Sequence, residues 1–253
     1  MKKIFVIFLI ILILSISLPL LNMFLKVSVQ DLIKTLLDEE VTKSIFLTLR
    51  ASLWSTSAAL IVGVPASYIL ARHNFFGKRI LEGIIDIPVI VPHTAAGIAL
   101  LTVLGRRSLF GEITGISIMG TETAISVGMF FVSVPFLINQ VKTGFRLIDE
   151  RYEKVAYTLG ATPFQTFYKV SLPLVKKSIM SGSIMMWARG ISEFGAVVIL
   201  AYHPMIAPVL IYDRYESFGL NYARPVAVLL ITICLIVFIV LRFVEHKSGN
   251  NAK

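Results

Sequence analysis

The chain is poor in charge and almost without cysteine. Of its 253 residues only 15% are Asp, Glu, Lys or Arg, where soluble domains carry roughly 25%. That shortage excludes an ordinary soluble enzyme or binding module. A single cysteine, Cys234, excludes an internal disulfide, and its apolar surroundings make it a buried bystander. No second His, Cys or carboxylate falls at metal-ligand spacing, so no metal site is expected. A Gly-x-x-x-x-Gly-Lys-[Ser/Thr] phosphate loop is also missing: Gly77-Lys78-Arg79 lacks the earlier glycine and the hydroxyl. Gly190-Ile-Ser192 approaches a serine-hydrolase elbow, but Phe194 stands where glycine is required. The chain is therefore not expected to be an enzyme, and it binds no cofactor of its own. Internal repeats and low-complexity tracts are lacking too.

What the chain has in abundance is apolar sequence, 56% of it. Six runs are long enough to cross about 30 Å of hydrocarbon as helices: 4–25, 45–71, 83–104, 123–141, 178–201 and 225–242. The first exceeds the apolar core of a signal peptide and reads as an uncleaved span. These runs leave no room for a soluble domain, so 1–253 reads as one transmembrane domain of an all-α, six-span membrane protein. With the N-terminus inside, 15 of the 24 basic residues fall on the inner side, 7 on the outer side and 2 within spans. The excess predicts a multi-pass protein of the cell membrane with both termini cytoplasmic. The net charge of +9 is then a topology signal, and no nucleic-acid partner is implied.

The longest polar insert lies between the fourth and fifth runs, over 144–176, on the predicted cytoplasmic side. Glu150 to Leu159 has helical spacing, and Gly160 stands where a helix stops. A second short helix starts at Thr162, a good N-cap, with Pro163 at its first position and Gln165 completing a capping box. Phe164, Phe167 and Tyr168 fall on one face. Leu172-Pro173 is expected to end this helix. Its aromatic face packs either on the chain's own spans or in a partner's groove.

Ionisable groups deep in a span are costly and therefore functional candidates. Arg189 and Glu193 stand four apart in the fifth run, which predicts an internal ion pair, or an arginine that with Ser192 meets an anion in a pore. Gly190 and Gly195 permit close approach or a kink. In the third run Pro88 and Pro92 each remove a backbone donor. The freed carbonyls, with His93 and Thr94, are candidates to line a polar path.

The insert resembles the coupling loop of ATP-binding-cassette importer permeases, in which Glu-Ala-Ala, three residues, glycine, nine residues and Ile-x-Leu-Pro follow one another. Gly160, the nine-residue gap and Leu172-Pro173 match, and Val170 replaces the isoleucine. The opening departs, with Lys154-Val155-Ala156 in the Glu-Ala-Ala positions and Glu153 one place early. Ile87-Pro-Val-Ile-Val-Pro-His-Thr-Ala-Ala-Gly-Ile-Ala-Leu100, Trp187-Ala-Arg-Gly-Ile-Ser-Glu-Phe-Gly-Ala-Val-Val198 and Pro204-Met-Ile-Ala-Pro-Val-Leu-Ile-Tyr212 are similar to the molybdate/tungstate branch of the sulfate-type oxyanion permeases, above all the archaeal type. The resemblance implies the type I importer permease fold and inward movement of tungstate or molybdate. Sulfate or thiosulfate is the nearest alternative cargo, and an ion-coupled secondary transporter the alternative class. It also implies a homodimer, two cytoplasmic ATP-binding subunits that carry the ATP and Mg, and an extracellular or periplasmic oxyanion-binding protein. By the same resemblance Glu153, Ala156, Gly160, Ala161, Thr162, Pro163, Phe164, Phe167, Leu172 and Pro173 couple the ATPase. The pathway or gate candidates are His93, Thr94, Arg189, Ser192 and Glu193.

Overall fold

The computed structural model describes residues 2–115 and 117–250; Met1, Ile116 and 251–253, with Lys253 of the basic residues counted above, lie outside the described residues. Among the described residues all regular structure is helical. The elements are α1 (Lys2–Leu25), α2 (Val29–Leu37), α3 (Glu39–Arg72), α4 (Lys78–Ile90), α5 (His93–Leu104), α6 (Leu109–Thr114) and α7 (Glu122–Leu147). In the insert follow α8 (Arg151–Thr158), α9 (Pro163–Thr166), a π-helical turn (Phe167–Ser171) and α10 (Leu172–Leu174). The chain then returns as α11 (Lys176–Ile191), α12 (Gly195–Leu200), α13 (Ala207–Phe218) and α14 (Leu220–Asn250).

Four helices, α1, α3, α7 and α14, are long and apolar enough to cross a membrane unbroken, and α4 with α5 makes a fifth crossing if the bent pair is one span. The six spans expected from hydropathy are thus not all matched: among the described residues the third run is a bent pair, and the fifth is divided between α11 and α12. In the third run Val91 and Pro92 take extended backbone (ψ 133° and 132°), and α5 leaves α4 at 115°. A proline disfavours helical geometry in the residue before it, which puts the break at Val91. Pro88 does not break its helix: it lies inside α4. In the fifth run the helix ends at Ile191, and Phe194 (φ −122°, ψ −53°) turns the chain into α12.

The centre of the protein is the packing of α3, α7 and α11. These helices approach through small residues, as membrane helices do when no hydrophobic drive separates lipid from side chain. Ser67 Oγ donates to the Ile138 carbonyl across the α3–α7 crossing at 3.1 Å. A Cβ on Gly182 would stand 3.2 Å from Leu137 and Gln140. Ala59, Val64, Leu137, Val141, Phe145 and Met186 fill the core at the Arg72 end. Ala51, Ile125, Met129, Val197 and Leu200 fill it towards the other end. By contrast the Ile4–Leu25 stretch of α1 buries no residue, and its main contact is with α14.

Candidate functional site

The two broken runs meet each other. α5 and α12 cross at Gly195 and Gly97, where a Cβ would stand 2.7 Å from the His93 Cβ and 2.8 Å from the Ala196 carbonyl oxygen, respectively. This contact brings His93, on the first turn of α5, against Arg189 and Glu193. Glu193 is buried, with 1% of its side chain exposed. Its Oε1 accepts from the Ala196 amide at 2.9 Å and so caps the start of α12. Its Oε2 meets Arg189 Nη2 at 3.0 Å and His93 Nδ1 at 3.1 Å. Arg189 Nη2 also reaches His93 Nε2 at 2.8 Å. Arg189 Nη2 also lies 3.0 Å from Nδ1; a proton on Nδ1 lets that nitrogen donate to Glu193 and leaves Nε2 to accept from Arg189. Arg189 Nη1 donates to Ser192 Oγ at 3.3 Å, and Ser192 Oγ donates to the Arg189 carbonyl at 3.0 Å.

The expected Arg189–Glu193 pair is therefore present, with His93 as a third member that sequence spacing did not reveal. Ninety-six residues separate His93 from Arg189. The arrangement is asymmetric: the carboxylate is sealed in, whereas 23% of Arg189 and 40% of His93 remain exposed. The face it offers is made of donors and a cation, with the compensating negative charge behind. Thr94 is exposed beside it. This polarity suits a transient contact with an anion, because Glu193 already occupies part of the guanidinium.

In the insert, Gly160 closes α8 with φ 86°, a left-handed geometry that glycine adopts freely. The Ala161 amide bonds back to the Ala156 carbonyl at 3.0 Å, so the chain turns sharply. Thr162 and Gln165 then form the reciprocal capping box, with Pro163 at the first helical position. The expected stop at Leu172-Pro173 does not occur. A π turn in which the Leu172 amide reaches the Phe167 carbonyl carries the helix on, Pro173 falls within the first turn of α10, and the chain breaks at Val175. Proline is tolerated there because no intrahelical partner is demanded of its nitrogen.

The aromatic face is divided. Phe167 turns inward onto Tyr68, 5.0 Å between ring centroids, with Phe145 behind. Phe164 and Tyr168 stack on each other at 5.3 Å and stay 71% and 58% exposed. Val155 and Leu159 of the preceding turn are exposed as well. Ala161, Thr162, Pro163 and Pro173 lie at or near the surface, Leu172 is half-buried and Ala156 is buried.

Glu153 faces the other way. It is buried, and its Oε1 accepts from Arg72 Nε at 2.9 Å and Ser171 Oγ at 2.8 Å, while Oε2 accepts from Tyr68 OH at 3.1 Å. Arg72 Nη1 donates to the Ile148 carbonyl at 3.1 Å. One carboxylate thus ties α8, the π turn and the end of α3 together. Sequence reasoning missed Tyr68, Arg72 and Ser171, because they reach Glu153 from 85, 81 and 18 residues away.

Known proteins resemble the chain throughout. The family model described as binding-protein-dependent transport system inner membrane component matches residues 63–248. The molybdate/tungstate transport system permease protein WtpB of Pyrococcus furiosus is 41% identical over 93% of this chain and 91% of its own length. Its namesake in Methanocaldococcus jannaschii is 39% identical over 96% of each. A probable sulfate transport system permease protein of Chlorokybus atmophyticus is 32% identical over 79% of this chain and 73% of its own. Among solved structures, a chain of a bacterial alginate ABC transporter in complex with a pentasaccharide-bound periplasmic protein superposes with a TM-score of 0.76. It covers all of this chain and 96% of that one at 13% identity. A chain of the MetNI methionine ABC transporter in an inward-facing conformation gives 0.65 at 16% identity, covering 84% of this chain and 96% of that one. Those two likenesses establish the fold alone.

Proposed function

The chain belongs to the family of binding-protein-dependent transport system inner membrane components, and from that premise we propose that it is the permease subunit of an importer for tungstate or molybdate, driven by a separate ATPase. The cargo reading is supported by the names of relatives at 39–41% identity. The coupling reading is carried by one observation: a capped helix whose Phe164 and Tyr168 rings stay exposed at the end of a membrane bundle. The two rings border an apolar groove of about 780 Å³ that runs along Leu60, Ile61, Val64 and Pro65 of α3, a surface suited to receive a partner's side chains.

In this reading the insert and both termini are cytoplasmic. Two copies surround the path, with the bent and broken third and fifth runs completing a six-span, type I arrangement. Each copy meets one ATP-binding subunit, which supplies the ATP and Mg site that this chain lacks. An external binding protein delivers the anion to the opposite end. When the ATPase pair closes it moves α9 and the π turn. Glu153 transmits that motion to α3 through Arg72 and Tyr68. The Arg189–His93–Glu193 group offers the passing anion donors and a partly neutralised cation, which favours passage over retention.

The test is reconstitution with the partner ATPase and binding protein in vesicles containing ATP. ATP-dependent uptake of molybdate or tungstate, with sulfate excluded or far slower, is expected. Uptake of sulfate in preference would transfer the chain to the sulfate branch, and uptake driven by an ion gradient without ATP would overturn the proposal.

A further inference from the structure

A second polar site lies closer to the insert than the Arg189 group. Between α4, α7 and α11 lies a groove of about 380 Å³ in which Asp86, Asn139, Gln140 and Thr143 form a polar strip beside the apolar Val89, Ile90, Pro135, Phe136 and Met185. Asn139 Nδ2 donates to Asp86 Oδ1 at 2.6 Å. Among the described residues no cation lies within ion-pair distance of Asp86. The nearby cations Lys142 and Arg146 are engaged by Glu82 at 3.4 Å and 2.8 Å. A carboxylate with only an amide partner, inside a membrane-crossing pair of helices, is costly and calls for water or a path beside it. Asn139, Gln140 and Thr143 supply the polar wall such a path needs.

Met185 of α11 is the link between the groove and the Arg189 group. Met185 stands one helical turn before Arg189 on α11, on the same face. Asp86 and Asn139 each lie about 12 Å of helix from the insert-side ends of α4 and α7, and Arg189 about 20 Å from the start of α11. An anion moving toward the insert therefore meets the Arg189 donors first, then Asp86, then the Lys142–Glu82–Arg146 group.

Building on the transport reading above, we infer that this groove is the inner stretch of the anion path and that Asp86 is its charge barrier. A fixed negative charge one step inside the cationic station raises the energy of a divalent oxyanion in the groove. It slows passage when the ATPase is idle, in both directions. Asn139 holds the carboxylate in place, and Gln140 and Thr143 leave the anion only neutral dipoles to rest on. The ligand class is a small divalent oxyanion. The selectivity is by charge, since the groove offers no cation to bind it.

The test uses the assembled complex of this chain with its ATPase in vesicles loaded with molybdate. Without ATP, Asp86→Asn is expected to release molybdate at least tenfold faster than the unaltered complex, with Asp86→Glu near the unaltered rate and leakage of a neutral sugar unchanged. Gln140→Glu, which adds a second negative charge to the groove, is expected to slow ATP-driven uptake at least fivefold. Equal molybdate release from Asp86→Asn and the unaltered complex overturns the inference. So does an Asp86→Asn leak that admits the sugar equally, since that reports loosened packing. If Asp86→Asn does not assemble, unchanged uptake in Gln140→Glu overturns it instead. Absence of ATP-driven uptake in the unaltered complex would sink the transport reading itself, a distinguishable failure.

Discussion

Glu153 and Gly195 are the residues on which the site's geometry turns. Arg72 and Glu153 form a pair with only 6% and 9% of their side chains exposed. Removing one partner of such a pair leaves an uncompensated buried charge and costs about 3–5 kcal/mol. Glu153→Ala is therefore expected to lower the unfolding midpoint of the purified chain sharply, while Glu153→Gln, which keeps the shape, loses less. Denaturation of the two variants side by side checks this; equal small losses would mean that the carboxylate's charge is not what holds α8 to α3. At Gly195 an added methyl would sit 2.7 Å from the His93 Cβ and 3.1 Å from the Thr94 amide. Overpacking of this kind costs about 1–3 kcal/mol. Gly195→Ala is expected to push α5 from α12, loosen the His93–Glu193 contact and lower transport while leaving ATPase association intact. Unchanged uptake in that variant would show that the crossing tolerates a wider gap.

At the scale of elements, the ends of helices carry most of the polar ties. Asp38 caps α3 through the Glu40 and Val41 amides and joins Arg214 of α13 at 2.8 Å. Burial pulls the Asp38 carboxyl up, but the Arg214 hydrogen bond and charge, with the two amides, outweigh it and hold the group below its ordinary 3.8. A carboxyl whose folded value is lowered adds stability that is full above the ordinary value and is lost as pH falls through the lowered one. The α2–α3 corner is therefore expected to loosen only in acid, below about pH 4. With part of the pair open to water the contribution is about 0.2–1 kcal/mol. Amide exchange in α2, followed between pH 6 and 3, reads it: protection should fall in the acid range in the parent and should already be low, and flat with pH, in Arg214→Ala.

Local punctuation made the insert's helices legible: Gly160, the Thr162–Gln165 box and Pro163 act within a few residues of themselves. Pro92 gave the break in the third run for the same reason. Pro88, in the last turn of α4, lies within the helix, and the break falls at Val91 before Pro92. In the fifth run Gly190 and Gly195 signalled that a kink was possible, but its place was not legible, since His93 reaches Glu193 and Arg189 only from distant chain. The continued helix beyond Leu172 was likewise hidden, because the π turn is fixed by Ser171 reaching Glu153. Hydropathy sees neither kind of contact.

For the whole molecule the fold is that of ABC importer membrane chains, and its ends differ in kind. One end carries ion-paired helix corners, the other a short capped helix with two exposed aromatic rings above a buried ion pair. The account depends on where those rings go. A photo-crosslinking residue at position 164, in the reconstituted complex with ATPase and binding protein, tests it most directly, with position 167 as the inward-facing control. The account expects position 164 to form a covalent adduct with the ATP-binding subunit and position 167 to link only within its own chain. An adduct from position 164 confined to its own helices, with the ATPase present and active, would contradict it.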